Sequence, residues 1–258
     1  MQRTGLLKIS MSATALPGPE GQFADSRVKV IRAKQHIYDL TRLIETHERE
    51  YEPEVRFDPN ERAPDGKRQA HIQVLVTALP PRASAIVGDA LHNLRAALDL
   101  LAVGLVELNG QKATNRVAFP FGEDAEDLEE KRKRHHLNLM ADDDWEEVKQ
   151  LRPFLGGDKL LCALHDLDIL DKHRRLLPNG TNVNTPNVGP KIDPITGKPV
   201  GWEDGDIRME ITPGTKPKIE FTFPEGEPLA KRPLLDGLRS LAGLVDSILK
   251  KFEERHPK

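Results

Sequence analysis

Apolar residues recur at helical spacing in four long stretches of the chain. In the first, Val30, Ala33, Ile37, Leu40, Ile44, His47 and Tyr51 fall three or four residues apart. They define one seam on a helix that starts near Asp25-Ser26, either of which suits a helix cap, and that Pro53 stops. A second helix opens at Pro80-Pro81 and runs to about Leu108, where Asn109-Gly110 ends it. Val87, Ala90, Leu91, Leu94, Leu98, Leu101 and Leu105 form its apolar face, with Asp89, His92, Arg95 and Asp99 around the other side. The third, from about Asp158 to Leu177, is apolar around nearly its whole circumference, as expected of a helix in the middle of a bundle. The last, from about Pro233 to Arg255, carries the cleanest seam: Leu234, Leu238, Leu241, Val245, Ile248 and Phe252.

Between the helices the period changes from 3.6 to 2. Val55 and Phe57, then Ala70, Ile72, Val74, Val76 and Ala78, predict a hairpin over about 54–79. Ile207, Met209, Ile211 and Ile219, Phe221, Phe223 predict a second over about 206–223, turning at Thr212-Pro213-Gly214-Thr215. Val117–Phe121 suggests a further short strand, and residues 178–205, rich in Asn, Gly and Pro, read as a long loop. The expected fold is α+β and mainly α: a four-helix bundle with a small antiparallel sheet formed by the two hairpins. Residues 1–24 read as a disordered leader and 25–258 as one domain, because the last helix is needed to complete the bundle.

The 258 residues suffice for a core without disulfides or structural metals. No stretch approaches the roughly 18 apolar residues of a membrane span. Leu6-Leu7, interrupted by Lys8, falls short of a signal-peptide core, so a cytoplasmic protein is expected. The lone cysteine, Cys162, fits a reducing compartment as a small core residue. A net charge of −3 does not announce a nucleic-acid binder. The basic run Lys131–His136 lies between acidic runs with no interleaved aromatic, so it reads as a self-neutralising solvated helix. Phosphate loops, nucleophile elbows, zinc-type cysteine pairs and dinucleotide fingerprints are absent, and no cofactor is implied.

Candidate chemistry lies in two helical segments. His92, Arg95 and Asp99 project from one side of the second helix. On the third, the row Leu160, Leu164, Leu167 continues onto Asp171 and Arg174. Charges placed where preceding turns place leucines must find partners. The polar side of the second helix supplies them, which predicts an inter-helix cluster of His92, Arg95, Asp99, Asp171 and Arg174, with Asn93 or His173 at its edge. Two guanidinium groups suit a phosphate, and a histidine beside them suits proton transfer near neutral pH. The same residues equally suit a buried polar network that only fixes helix register. A metal is a third reading, since Asp89-x-x-His92 and His165-x-x-Asp168 each place two ligand types one turn apart, though Arg95 would sit beside the cation.

The segment Gly88-Asp89-Ala-Leu-His92-Asn93-Leu-Arg95-Ala-Ala-Leu-Asp99, the pair Phe119-Pro120 and Asp171-Lys172-His173-Arg174 resemble a family of uncharacterised bacterial proteins over roughly residues 26–177. That resemblance implies a bacterial helical protein and brings no activity with it. A second similarity is to HEPN-type helical ribonucleases, which use an Arg and a His on one helix without metal. Arg42-x4-His47 is the corresponding pair, with Leu43 where that family favours a polar residue and His47 on the core seam.

The sequence therefore leads to a protein that binds or cuts a phosphate-bearing substrate, RNA among them. Arg95 and Arg174 would hold the phosphate, His92 would move the proton, and Asp99 and Asp171 would orient them. The alternative is a non-catalytic interaction or structural module whose polar cluster locks the helices. Whether the chain is an enzyme stays open, and the seams of the first and last helices suit a homodimer as well as a closed monomer.

Overall fold

The computed structural model describes residues 21–62, 68–173, 180–184, 188–200, 209–211, 218–226 and 228–257, and it is mainly helical. Helix α1 (Ala24–Glu50) leads into the antiparallel strands β1 (Glu54–Arg62) and β2 (Arg68–Leu75), in register from Glu54↔Leu75 to Arg62↔Arg68 with a bulge between Asp58 and Glu61. Helix α2 (Arg82–Leu108) follows, then two short helices, α3 (Ala125–Arg134) and α4 (Asp142–Gln150), and then α5 (Lys159–His173). Strands β3 (Gly180–Asn184), β4 (Val188–Pro190), β5 (Met209–Ile211) and β6 (Lys218–Thr222) precede the last helix, α6 (Leu234–Arg255).

The helical seams read from the sequence face the interior. Val30, Ala33, Ile37, Leu40, Ile44 and His47 of α1 are buried, as is every seam residue of α6. Tyr51 is the exception; it lies beyond the end of α1 and is half exposed. Each fully buried leucine of α2 contributes on the order of 1.5–3 kcal/mol of transfer free energy. Partners fix the directions of the helices. Arg27 meets Glu253 while Lys34 meets Asp246, so α1 and α6 run antiparallel. Gly88 lies against Asp171 while His92 meets Asp168, so α2 and α5 do as well.

Several expectations are corrected. The central helix is α2, which packs against α1, α5 and α6 and is buried on most of its circumference. On α5 the residues His165, Asp166 and Ile169 are half or fully exposed, so its continuous apolar run does not mark the middle of the structure. Neither Asp25 nor Ser26 caps α1: the helix begins at Ala24, and the buried Ser26 hydroxyl has no hydrogen-bond partner among the described residues. Packing sets that start instead, because Phe23 is buried against Gly104, where a Cβ would come within 2.9 Å of its ring. Side-chain caps do operate at α3, where Asp124 accepts from Glu126 N and Asp127 N, and at α5, where Asp158 accepts from Leu160 N and Leu161 N.

The second predicted hairpin is replaced by a longer pairing. Strand β6 pairs with β3 (Gly180↔Thr222 to Asn184↔Lys218), and β5 pairs with β4 (Val188↔Ile211 to Pro190↔Met209). Part of the stretch read as a loop thus supplies the partners of both predicted arms. Its Asn, Gly and Pro content hides the short alternation through Thr181 and Val183. Among the described residues no ladder joins these strands to β1 and β2, so the two hairpins do not form one sheet. Residues 1–20 of the expected leader and the turn at 212–217 lie outside the described residues.

Candidate functional site

Val117–Phe121 is not a strand, and what holds it in place is the first part of the site. Phe119 N donates to Asp99 Oδ1 at 2.8 Å, and Phe119 O accepts from Arg95 Nη2 at 3.1 Å. Two side chains one turn apart on α2 thus satisfy both backbone groups of Phe119, as a partner strand would. Arg95 Nη1 bonds Asp99 Oδ1 at 2.5 Å, closing the unit, and the guanidinium lies 4.7 Å from the centre of the Phe121 ring. The segment covers Arg95 so fully that its side chain is 11% exposed. Sequence projection put Arg95 on the polar side of α2; the loop that follows the helix is what buries it.

One turn toward the N-terminus the environment opens. His92 Nδ1 lies 3.3 Å from Asp168 Oδ1, and Lys172 Nζ lies 2.5 Å from Asp168 Oδ2. The Asp168 side chain is 4% exposed, whereas His92 is 57% and Lys172 50% exposed. An ionised carboxylate only accepts, so His92 Nδ1 carries the proton and the neutral ring keeps Nε2 as its acceptor. This is a histidine oriented by a buried carboxylate with an exposed cation alongside.

Asp171 enters from α5 against Gly88, where a Cβ would come 2.3 Å from Asp171 Oδ2. The lack of a side chain at Gly88 is what lets this carboxyl reach α2. Burial, with Asp168 and Asp89 adding like charge, raises the Asp171 pKa above the usual carboxylate range. His165, also on α5, joins the two halves: its ring stacks on Phe121 with centroids 4.2 Å apart and planes 2° from parallel. Burial pushes its pKa down to about 4, with the Arg95 charge adding to the effect. His165 Nδ1 is buried and has no hydrogen-bond partner among the described residues. Burial likewise lowers the His135 pKa, with Lys131, Arg134 and Arg95 acting in the same direction.

Of the five residues expected to cluster, Arg95 and Asp99 form one bonded unit, and His92 and Asp171 lie at the α2–α5 contact around Asp168. Arg174 lies outside the described residues. Asn93 donates to Asp89 O within its own helix, and the side chain of His173 is not described. The residues missing from the expected cluster are Asp168, Lys172, His165 and Phe121. A signal for the first two was present: Asp168 stands one turn before both Asp171 and Lys172, on a face that leucines made look wholly apolar. Among the described residues no three His, Cys, Asp or Glu side chains are arranged to hold a metal. Elsewhere, His47 is buried with Nε2 3.0 Å from Thr77 O, and Arg42 pairs with Glu45 on the exposed side of α1. Cys162 is half buried, with its Sγ 3.1 Å from Phe154 O. No helix among the described residues is long and apolar enough to cross a membrane. No family model, curated protein or solved structure matches the chain, so its side-chain geometry is what bears on function.

Proposed function

We propose that this protein binds or cleaves a phosphate-bearing substrate, RNA being the leading candidate, on the α2–α5 face centred on His92. The observation that carries the reading is an exposed His92 ring whose Nδ1 is engaged by the buried Asp168. In such a pair the carboxylate fixes the tautomer and stabilises the imidazolium, and the free nitrogen takes and returns a proton at the substrate. Lys172 is the cation at hand for a phosphate oxygen, and Asp171 is a carboxyl biased toward its protonated form. Arg95 and Asp99 support the site by fixing Phe119 and Phe121 beside it. The reading includes a four-helix bundle of α1, α2, α5 and α6 in a single domain of a bacterial cytoplasmic protein; with the α1 and α6 seams buried within the chain, a homodimer would need another face.

The test is incubation of a labelled RNA pool with wild type, His92→Ala and Arg95→Ala in EDTA. Cleavage by wild type that falls at least about 100-fold in His92→Ala supports the reading. No cleavage and no gel shift by wild type overturns it. The second reading, a non-catalytic module whose polar residues fix helix register, is favoured by the Arg95 half alone, since both of its bonded nitrogens are held within the protein.

A further inference from the structure

A cleft of about 600 Å³ lies on another part of the molecule, between the C-terminal half of α1 and the segment that leads into α2. That volume falls within the usual range of small-molecule sites. Its floor is aromatic: the His47 and Tyr51 rings lie 4.7 Å apart and are tilted by 36°. The bond from His47 Nε2 to Thr77 O holds the first ring in place, while Tyr51 is half exposed and offers its ring to a ligand. Leu43 and Pro80 add apolar wall.

Cations reach this floor from two sides. Arg42 comes from α1 and Arg82 from the first residue of α2. Arg82 has no hydrogen bond or ion pair among the described residues. Arg42 has a 3.0 Å pair with Glu45 between side chains that are both about half exposed, an interaction worth little and easily exchanged for a ligand anion. Asp39 and Glu50 also line the cleft, and they repel a long polyanion. What suits a stacking floor, two guanidinium groups and flanking carboxylates is a compact planar molecule with one anionic group.

We propose that this cleft binds a planar aromatic anion the size of a nucleoside monophosphate, with Tyr51 stacking on the ring and Arg42 and Arg82 holding the anion. The proposal does not depend on chemistry at His92. It is tested by calorimetric titration of the full chain with adenosine monophosphate, with indole-3-acetate and with inorganic phosphate. At least one of the two aromatic anions is expected to saturate with a Kd below about 1 mM, and the stronger binder identifies the anion as phosphate or carboxylate. Arg82→Ala and Tyr51→Ala are each expected to weaken binding at least about tenfold. Both side chains are exposed, so melting temperatures should match wild type. His92→Ala is expected to leave binding unchanged, which separates this site from the one above. Failure of both aromatic anions to bind overturns the proposal. So does binding that survives both substitutions, that is lost in His92→Ala, or that inorganic phosphate alone matches.

Discussion

One turn of α2 separates His92 from Arg95, yet the first side chain is 57% exposed and the second 11%. Both are basic residues with an aspartate partner. The difference lies in what covers them. Over Arg95 the segment 117–121 folds back, and the guanidinium becomes part of the backbone's hydrogen bonding through Phe119 O. Over His92 nothing closes among the described residues, and only its partner Asp168 is buried. A cation whose bonded donors are held by main chain and carboxylate shapes the protein. A histidine with an ordered partner behind it and solvent in front is positioned to act on something else.

The largest effect is expected at the closed half. Arg95→Ala removes the donor to Phe119 O, takes the pairing charge from Asp99 and frees the Phe121 ring. Urea denaturation should show a loss of about 2–4 kcal/mol, and Arg95→Lys should recover little of it, since one ammonium does not reproduce the guanidinium fork. An unchanged denaturation midpoint combined with lost RNA cleavage would merge the two halves into one substrate site.

Gly88→Ala tests the α2–α5 contact from the other direction. Its new Cβ would lie 2.3 Å from Asp171 Oδ2, so α5 or the carboxyl must move, at a cost of about 1–3 kcal/mol. The double change Gly88→Ala with Asp171→Ala should recover part of that loss. A double-mutant cycle reads the coupling, and additive losses would mean that the close approach is relaxed without cost.

Much of this was legible in the chain. The seams of α1 and α6, Tyr51 apart, fall on buried residues, because a two-sided choice between core and solvent leaves a clear 3.6-residue period. Position along the chain also placed Asp171 toward α2. The burial of Arg95 was not legible, since it depends on a loop some twenty residues downstream that is tied through Phe119 to α2 side chains. Asp168 was masked by the leucines around it. A helix apolar on most faces gives no direction to its few polar residues, so the periodicity that exposes Asp171 leaves Asp168 ambiguous. The strand pairing failed for a similar reason: Met209–Ile211 and Lys218–Thr222 announce themselves as strands, but their partners lie in a Gly- and Asn-rich stretch with little pattern.

His165 bridges the two halves and yields a smaller, pH-dependent effect. Its pKa is about 4 in the folded protein against 6.5 as the ordinary value, so the unfolded chain takes up the proton first as pH falls. Its contribution is therefore fully present above pH 6.5 and is lost progressively between 6.5 and 4. Allowing for solvent screening of its exposed part, the loss is about 1–2 kcal/mol. His165→Phe keeps a ring on Phe121 without a titrating group. The difference between wild-type and variant stability should therefore change across that window and stay constant above it. Parallel curves down to pH 4 would place the His165 ring in contact with solvent and separate it from Arg95.

The smallest change in stability is expected at His92, and that smallness is what the comparison turns on. The ring is mostly exposed, so His92→Ala removes little packing, and Asp168 keeps Lys172 at 2.5 Å as its partner. The denaturation midpoint should stay within about 0.5 kcal/mol of wild type. Removing Lys172 as well makes the test sharper. Asp168 then stands buried without either partner, and the double variant His92→Ala with Lys172→Ala should lose more than the two single variants added together. A synergistic loss shows that the two exposed side chains share one buried carboxylate, so that either alone satisfies it. The protein can then lend His92 to a substrate without losing Asp168's pairing. Strict additivity would mean that Asp168 draws its stability from elsewhere, and the open half would then have no claim to differ in kind from the closed one.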